Sequence, residues 1–417
     1  MFELIQYIQD SKLAFKIESY VAYVESEDDA GKSAPKSSSP VLHSLVSFLI
    51  ALTNLSSEGR IFYQKLPGPS PDLQLSYLLL SPTHAFSSIA SSARAIILAG
   101  GTMSPFDDYK DHLFPSLAPP KVTTLSCGHV IPPENLCVWT LASMRPDAPP
   151  FEFSFQKRSD PEMINQLGMA IVNVCSIVPD GVVVFFPSYG YLDEVVNAWQ
   201  KNQGAGSQSI WSRLEARKAL FRESKGGSSD DVLSEYTKAT LGDDGASSKP
   251  STAPSKGALL LSVVGGKMSE GINFADRLGR CVMVVGLPYP NIASPDWKAK
   301  IEYIETTTFT RLTSNDDESS SSPKIGEVEA RARAKQTSRD FYENACMRAV
   351  NQSIGRAIRH RGDYAAIVLL DRRFGTERIR GKLPGWIQGG LREGSQEKGL
   401  GGLMGALGSF FRGRKAG

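Results

Sequence analysis

Short, uninterrupted apolar runs are the most regular feature of the hydrophobic pattern along this chain. Each run is rich in Val, Ile and Leu and lacks the apolar–polar alternation of a half-exposed strand, which is typical of strands buried on both faces of a parallel sheet. The runs that predict strands are Ala95–Ala99, Leu136–Leu141, Val182–Phe186, Leu259–Val264, Val282–Val285 and Ala365–Leu370.

Helical patterns separate most of these runs. In Pro161–Val178, apolar residues recur at steps of three and four, as they do on one face of an α-helix. Further helices are predicted at Tyr191–Lys201, Trp211–Glu223, Asp296–Thr310 and Glu327–Ile358. Because strands and helices alternate, we predict an α/β fold over residues 121–391, with a parallel sheet sandwiched between helices.

The segments outside this pattern predict a partial domain and several flexible stretches. Residues 1–120 read as helical at Phe2–Val24 and Val41–Asn54 and strand-like at Leu73–Leu80, with a linker near 25–40. The insertions near 226–256 and 314–323 are rich in Ser, Gly and Asp, and the tail 392–417 is Gly-rich with a basic end. We predict that they are flexible, because they bury too little apolar surface to offset the entropy of ordering.

Composition narrows the class of protein. The 417 residues are 22% charged and 41% hydrophobic with a net charge of +2, so any basic surface is local and no membrane partner is expected. The five cysteines are scattered and form no C-x-x-C pair. This spacing predicts a reducing compartment and no bound metal or iron–sulfur cluster within this chain.

Three loops that follow predicted strands combine glycines with polar side chains. They are Gly100–Pro105, Pro187–Tyr189 and Gly265–Phe274. Ligands of open α/β sheets bind at the carboxyl ends of strands, so these loops are candidate sites for phosphate or nucleic acid. Each loop alone is ordinary turn chemistry, but three in this setting indicate a site.

A pair of arginines marks a second candidate site. Gln352, Arg356 and Arg359 are spaced by four and three residues, so a continuous helix would present them on one face. Guanidinium groups stay charged and match phosphate oxygens, which suits them to the charge that develops in phosphoryl transfer. Gly355 lies inside the predicted helix, where glycine costs about 1 kcal/mol, and we expect another group to approach its backbone.

The order of these motifs resembles a known enzyme family. Gly100–Pro105, Phe185–Tyr189, Gly266–Phe274 and Gln352–His360 are similar to motifs III to VI of the superfamily 2 iron–sulfur DNA helicases related to XPD and FANCJ. The similarity extends from about residue 4 to 387. Two further stretches most resemble the branch of that family that contains the fungal chromosome-loss helicases, namely Ser126–Pro133 and Ala258–Asn291.

The resemblance implies two RecA-like lobes with ATP held between them. This chain would be the second motor lobe, preceded in residues 1–120 by the end of an arch insertion and the last strand of the first lobe. The resemblance implies that Arg356 and Arg359 are arginine fingers, with Gln352 beside the attacking water or the phosphate. The residues implied to line the nucleotide are Glu270, Gly271, Asn273 and Gly355, although many relatives carry aspartate at the position of Asn273.

The same resemblance implies contacts with DNA. Thr102 and Ser104 would couple the nucleotide state to the grip on DNA, and Ser188, Tyr189 and Lys267 would contact the strand. The expected nucleic-acid partners are single-stranded DNA and fork or duplex junctions. Cohesion and replication proteins are further expected partners.

Two parts of an ATP site have no counterpart in the sequence. The one Gly-Lys-Ser is Gly31–Ser33, but Ser26 stands where a phosphate loop needs glycine, and acidic residues surround it. A D-E-x-H box is also missing from the sequence. We therefore expect ATP and Mg²⁺ to be shared with a first lobe, and this chain alone to hydrolyse ATP negligibly. The family's 4Fe–4S cluster is expected only in the full-length protein.

Two hypotheses of different class follow. The first is the C-terminal motor lobe of an ATP-dependent, 5′-to-3′ DNA helicase, which the resemblance places in the nucleus with a role in chromosome cohesion and genome maintenance. The alternative is an ATPase-dead module that binds DNA or a protein partner. A dinucleotide enzyme is poorly supported, because no G-x-G-x-x-G follows a predicted strand near a ribose-binding acid.

Overall fold

The computed structural model describes residues 12, 15–17, 19, 39–52, 59–65, 73–115, 117–128, 130–201, 208–242, 257–271, 274–313 and 326–415. The chain forms two compact units. The first unit comprises Met1–Ile96, Asp108–Pro119 and Asn291–Phe341. The sheet unit comprises Ile97–Asp107, Pro120–Pro290 and Tyr342–Gly417.

The secondary structure of the described residues is numbered in chain order. The strands are β1 (Gly59–Lys65), β2 (Leu73–Leu79), β3 (Leu136–Leu141), β4 (Val182–Phe186), β5 (Ala219–Arg222), β6 (Ala258–Val263), β7 (Cys281–Val285) and β8 (Ala365–Leu370). The α-helices are α1 (Ser39–Ala51), α2 (Thr83–Ser92), α3 (Asp107–Leu113), α4 (Pro161–Ile177), α5 (Tyr189–Gln200), α6 (Ile210–Glu215), α7 (Ser229–Leu241), α8 (Lys267–Gly271), α9 (Pro295–Thr313), α10 (Glu327–Ile354), α11 (Glu377–Arg380), α12 (Gly385–Gly390) and α13 (Gly399–Lys415).

A six-stranded sheet in the order β3-β8-β7-β4-β6-β5 forms the centre of the sheet unit. All neighbouring strands pair in parallel. Every residue of β3, β4, β6, β7 and β8 is buried. The sequence predicted each of these five strands to within one residue of its observed ends, because a strand buried on both faces is recognisable by its continuous apolar run.

Helices cover both faces of this sheet. Along β4, Val182, Val184 and Phe186 lie in one apolar core, whereas Val183 and Phe185 lie in the other. The first core includes the buried residues of α4 and α5, and the second includes the carboxyl-terminal part of α10. The predicted α/β fold, with a parallel sheet sandwiched between helices, is confirmed.

The predicted helix Trp211–Glu223 is wrong in its second half. Helix α6 ends at Glu215, and the chain then forms β5, which pairs in parallel with β6. The hydrogen bonding to β6 continues past the end of β5, since the Glu223 N–H donates to the Leu261 carbonyl at 2.9 Å. A four-residue strand is too short to show a period of its own, so its partner in the sheet decides the conformation.

The predicted strand Ala95–Ala99 is also wrong. The segment forms neither a strand nor a helix, and the Ile97 side chain is 89% exposed. A strand requires a partner for its backbone N–H and C=O groups, and no strand of the described residues pairs with this segment. Apolar composition alone therefore does not produce a strand here.

The tail predicted to be flexible from residue 392 forms helix α13 over Gly399–Lys415. Leu403, Leu407 and Phe411 are buried in the core beside α4 and β3. Their spacing of four is helical, but the many glycines of the tail masked it. Helix α7 likewise occupies part of the insertion predicted to be flexible, while residues 243–256 and 314–323 lie outside the described residues.

The first unit contains an antiparallel hairpin of β1 and β2, with Gly59 opposite Leu79. Helix α1 and strand β2 confirm the predictions at Val41–Asn54 and Leu73–Leu80, whereas most of Phe2–Val24 lies outside the described residues. Helix α9 contacts β1, so this part of the predicted sheet domain belongs to the first unit. Among the described helices, none is long and apolar enough to cross a membrane.

Candidate nucleotide and nucleic-acid site

The topology places the predicted site residues at two opposite edges of the sheet. Arg356 and Arg359 lie between α10 and β8, so they precede the strand and lie at its amino-terminal edge. Ser188 follows β4 and Lys267 follows β6, so both lie at the carboxyl-terminal edge. Because the strands are parallel, a length of five or six residues separates the edges, roughly 15–20 Å. Ligands of open α/β sheets usually bind at the carboxyl ends of the strands, whereas the two arginines lie at the amino-terminal edge.

Helix α10 ends earlier than its sequence predicted. The Gly355 N–H still donates to the carbonyl of Asn351, four residues back, at 2.9 Å. The Arg356 N–H instead donates to Ser353, three residues back, at 3.4 Å. The backbone thus tightens into a turn at the glycine, and the last helical residue is Ile354. Glycine destabilises the interior of a helix and is common at its carboxyl-terminal end.

The prediction of one helical stripe of Gln352, Arg356 and Arg359 is therefore wrong. Gln352 is exposed on the last turn of α10, Arg356 is half-buried in the following turn, and Arg359 is exposed beyond it. The two guanidinium groups belong to an irregular connection instead of a helix face. The three residues remain near one another in sequence, at the same edge of the sheet.

The group that approaches Gly355 is Thr102. A Cβ added at Gly355 would lie 3.1 Å from Thr102 Cγ2. One turn earlier on α10, the buried Asn351 donates through Nδ2 to the Ser104 carbonyl at 3.4 Å. The loop that carries both predicted coupling residues, Thr102 and Ser104, is therefore in contact with the turn that carries Arg356.

A buried carboxylate, Asp363, organises the amino-terminal edge. Its oxygens accept hydrogen bonds from Arg280 Nη1 at 3.0 Å, from the Asp276 N–H at 3.1 Å and from the Tyr364 N–H at 2.8 Å. His360, the residue after Arg359, contacts Asp276 Oδ1 through Nε2 at 2.9 Å. These contacts attach the turn before β8 to the segment before β7.

The same residues do not make a metal site. Ligand atoms of Asp276, His360 and Asp363 lie within 4.8 Å of one another, which is close enough for a cation. However, both oxygens of Asp363 already accept hydrogen bonds, and the nearby Arg280 guanidinium would repel a cation. We assign no metal to this cluster.

At the carboxyl-terminal edge, Ser188 caps helix α5. Its Oγ accepts a hydrogen bond from the Tyr191 N–H at 3.2 Å. Serine is a favoured residue at this position, so the cap alone explains it. The amino terminus of a helix also attracts anions through its unpaired N–H groups and dipole, and here it lies at the same edge as the exposed Lys267.

Tyr189 and Glu223 form a pair beside this helix terminus. The Tyr189 hydroxyl donates to Glu223 Oε1 at 2.7 Å. Burial, the hydrogen bond to Glu223 and the negative charge of Glu223 raise the pKa of Tyr189 to about 12. A backbone hydrogen bond from Lys267 acts in the opposite direction and lowers this pKa. The hydroxyl therefore stays protonated at neutral pH and donates to Glu223, while the ring of Tyr189 is half-buried.

Comparison with known proteins identifies the family. Residues 171–390, more than half of the 417-residue chain, match the family model described as "Helicase C-terminal domain". The chain belongs to the helicase C-terminal domain family. Five of the six strands of the sheet, β4 to β8, lie within the matched residues.

Fungal proteins are among the relatives of this helicase domain. "ATP-dependent DNA helicase chl1" of Neurospora crassa is 53% identical over 99% of this chain and 44% of its own length. "ATP-dependent DNA helicase CHL1" of Sclerotinia sclerotiorum is 46% identical over 100% of this chain and 50% of its own length. The resemblance that the motifs indicated is confirmed, and the chain spans about half the length of these relatives.

Solved structures match the helicase domain more distantly. "Structure of S. tokodaii Xpd4" is 16% identical and covers 90% of this chain and 57% of that chain, with a TM-score of 0.45. "XPD_Helicase" is 17% identical and covers 82% of this chain and 49% of that chain, with a TM-score of 0.48.

Some predicted residues of the helicase site are not described. Asn273 lies outside the described residues, and Glu270 and Gly271 are described only as part of the backbone of α8. Their predicted place beside the nucleotide stays a prediction. Glu223 and Asp363 were not predicted, because nothing in the local sequence pattern distinguishes a buried acidic side chain from an exposed one.

Proposed function

We propose that this chain is the C-terminal motor lobe of an ATP-dependent DNA helicase. The observation that carries the proposal is the separation of two charged sites on one sheet. Arg356 and Arg359 occupy the amino-terminal edge, whereas Ser188 and Lys267 occupy the carboxyl-terminal edge. The identity of 53% with a protein named as an ATP-dependent DNA helicase supports the assignment.

The amino-terminal edge would act on ATP. When bound, ATP supplies the phosphoryl group whose transfer to water releases free energy. Arg356 and Arg359 would donate to phosphate oxygens and stabilise the charge that develops there, and Gln352 would orient a water or an oxygen. Two guanidinium groups and an amide fit phosphate, but Asp363 at this edge is already paired, so Mg²⁺ ligands would come from a first lobe.

The carboxyl-terminal edge would hold single-stranded DNA. Lys267 would neutralise a phosphate, and Ser188 with the amino terminus of α5 would donate hydrogen bonds to a phosphate oxygen. The ring of Tyr189 offers a surface for a base. Such contacts are independent of sequence, as a motor that moves along DNA requires.

Two connections could couple the edges. Helix α8 follows the carboxyl end of β6, and Asp276 lies shortly before the amino end of β7, so these two points of the chain lie at opposite edges of the sheet. The contact of Thr102 with Gly355 links a second loop to the arginine turn. A shift of either segment on nucleotide binding would change the position of the DNA contacts.

The remaining expectations belong to the same proposal. They are 5′-to-3′ unwinding, a nuclear location, cohesion or replication proteins as partners, and a role in genome maintenance. A 4Fe–4S cluster is proposed for the full-length protein alone.

The test is a comparison of this chain with a chimera in which it replaces the matching half of the Neurospora crassa relative. We expect DNA-stimulated ATP hydrolysis by the chimera and negligible hydrolysis by the chain alone. Arg356→Ala should lower the rate by about 10³-fold or more, the usual effect of losing an arginine finger. Arg331→Ala, which removes an exposed arginine paired with Glu327 on the same helix, is the control.

Hydrolysis by the pure chain that Arg356→Ala abolishes would contradict the proposed division between lobes. A chimera that binds DNA but hydrolyses no ATP would instead favour the alternative of an ATPase-dead binding module.

A further inference from the structure

We propose that Glu223 is a positioning residue for the DNA contacts at the carboxyl-terminal edge of the sheet. Its carboxylate would hold the loop after β4 and the loop after β6 in one fixed arrangement. The inference rests on the proposed role of Lys267 and Tyr189 in binding single-stranded DNA and assigns the group that aligns them.

Glu223 lies just after β5 and is 3% exposed. Its carboxylate accepts four hydrogen bonds. Oε1 accepts from the Tyr189 hydroxyl at 2.7 Å and from the Met268 N–H at 3.3 Å. Oε2 accepts from Ser262 Oγ at 2.7 Å and from the Val263 N–H at 3.1 Å. A single side chain thus joins groups from three parts of the sheet edge.

These partners include the immediate neighbours of the proposed DNA contacts. The Met268 N–H belongs to the residue that follows Lys267 in the first turn of α8. The Tyr189 hydroxyl belongs to the residue that follows Ser188. Fixing these two groups sets the direction in which the Lys267 side chain and the amino terminus of α5 face solvent.

Gly266 shows how closely the loop fits around the carboxylate. A Cβ added there would lie 2.6 Å from Glu223 Oε1 and 2.7 Å from the Tyr189 hydroxyl oxygen. A Cβ at this position would displace the carboxylate or the hydroxyl, so glycine lets the loop after β6 approach the pair of Tyr189 and Glu223 this closely. The fit joins the position of the glycine-containing loop directly to the position of Glu223.

A buried carboxylate requires donors, so a purely structural role must be distinguished from a positioning role. Hydrogen bonds to an ionised group are shorter and stronger than those between neutral groups. Loss of the negative charge would weaken the contacts of both loops at once. A protein that only lost stability would bind DNA in the same way with a smaller folded fraction, whereas misplaced loops would change the contacts themselves.

The test is the salt dependence of binding to an oligo(dT) strand by the whole 417-residue chain. Glu223→Gln keeps the size of the side chain and is compared with Lys267→Ala and with the control Glu235→Gln, which removes the charge of an exposed glutamate on α7. Each phosphate contact contributes about 0.7 to the slope of log K against log salt for a single strand.

We expect Lys267→Ala and Glu223→Gln each to weaken binding and to reduce the slope by about 0.7, the value of one phosphate contact. The double variant should have the slope of Lys267→Ala alone, since one contact cannot be lost twice. Glu235→Gln should leave the slope unchanged. Thermal unfolding of each variant, measured on the same samples, gives the folded fraction.

Two results would overturn the inference. If Lys267→Ala reduces the slope but Glu223→Gln leaves the slope unchanged, Glu223 does not position the contact, whatever its effect on stability. If the unmodified chain shows no salt-dependent binding, or Lys267→Ala has no effect on it, the proposed DNA contact itself fails, and the inference fails with it. The result for Lys267→Ala therefore shows whether the role of Glu223 or the DNA contact itself has failed.

Discussion

Two buried carboxylates at opposite edges of the sheet, Asp363 and Glu223, differ in their partners. Asp363, at the amino-terminal edge, pairs with the buried Arg280 guanidinium and with two backbone N–H groups. Glu223, at the opposite edge, is held by two hydroxyls and two backbone N–H groups. One carboxylate balances a permanent charge, whereas the other is solvated by neutral donors.

This difference indicates how the segment around each of these two carboxylates can respond to a ligand. A buried ion pair is costly to separate, because both charges would be left in a low-dielectric environment. Hydroxyl groups can rotate to new partners at lower cost. We therefore expect the loss of Asp363 to disturb the arginine turn more than the loss of Glu223 disturbs the loops after β4 and β6.

The largest effect in this comparison should come from Asp363→Ala. The substitution leaves the buried Arg280 without its carboxylate, which typically destabilises a protein by about 3–5 kcal/mol. Urea denaturation followed by tryptophan fluorescence measures the change. The double variant Asp363→Asn with Arg280→Met should lose less stability than the sum of the losses of its two single variants. A loss below about 1 kcal/mol for Asp363→Ala would contradict the assigned role of Asp363.

Glu223→Gln should destabilise the fold by a smaller amount. The amide keeps one acceptor oxygen but places an NH₂ group toward donors, so we expect a loss of about 1–3 kcal/mol in the same denaturation experiment. Glu235→Gln is again the exposed control. A loss as large as that of Asp363→Ala would show that neutral donors hold a carboxylate as firmly as an ion pair does here.

A further prediction concerns the contact of Gly355 with Thr102. Gly355→Ala places a methyl group 3.1 Å from Thr102 Cγ2, and we expect a loss of about 1 kcal/mol together with slower ATP hydrolysis in the chimera. Thr102→Ser removes that Cγ2 and should restore most of both. If hydrolysis remains slow in the double variant, the contact is not the cause.

A pH-dependent effect should appear under alkaline conditions. The pKa of Tyr189 is raised to about 12 in the folded protein, so its contribution to stability is complete below the unfolded pKa of about 10. That contribution is lost as the pH rises from about 10 to 12. Tyr189→Phe should therefore lose less stability than the unmodified chain over this interval, as measured by urea denaturation at each pH. Equal losses would contradict the pairing with Glu223.

The core of the fold was predictable because it depends on local pattern. Strand β4 reads as a continuous apolar run, and α4 shows its buried face at helical spacing. Strand β5 was missed because it has four residues and depends on β6 for its backbone bonds. The ordered α13 was missed because its glycines concealed a helical spacing of Leu403, Leu407 and Phe411.

The candidate site was predictable only in part. Ser188 and Lys267 were proposed from their position after strands and from the family motifs, and Arg356 from its spacing with Gln352 and Arg359 and from a family motif. Glu223 was not found, because its partners Tyr189, Ser262 and Met268 lie 34, 39 and 45 residues away in sequence. Contacts over such distances follow from the assembled sheet and leave no local signal.

The most direct test of the two-edge account is a crossed measurement on the chimera, with ATP hydrolysis at saturating DNA and DNA affinity determined for Arg356→Ala and Lys267→Ala. We predict that Arg356→Ala removes hydrolysis and leaves DNA affinity unchanged, whereas Lys267→Ala weakens DNA binding and keeps the hydrolysis rate at saturating DNA. If both variants lower both quantities by similar factors, the two edges do not have separate roles and the account is wrong.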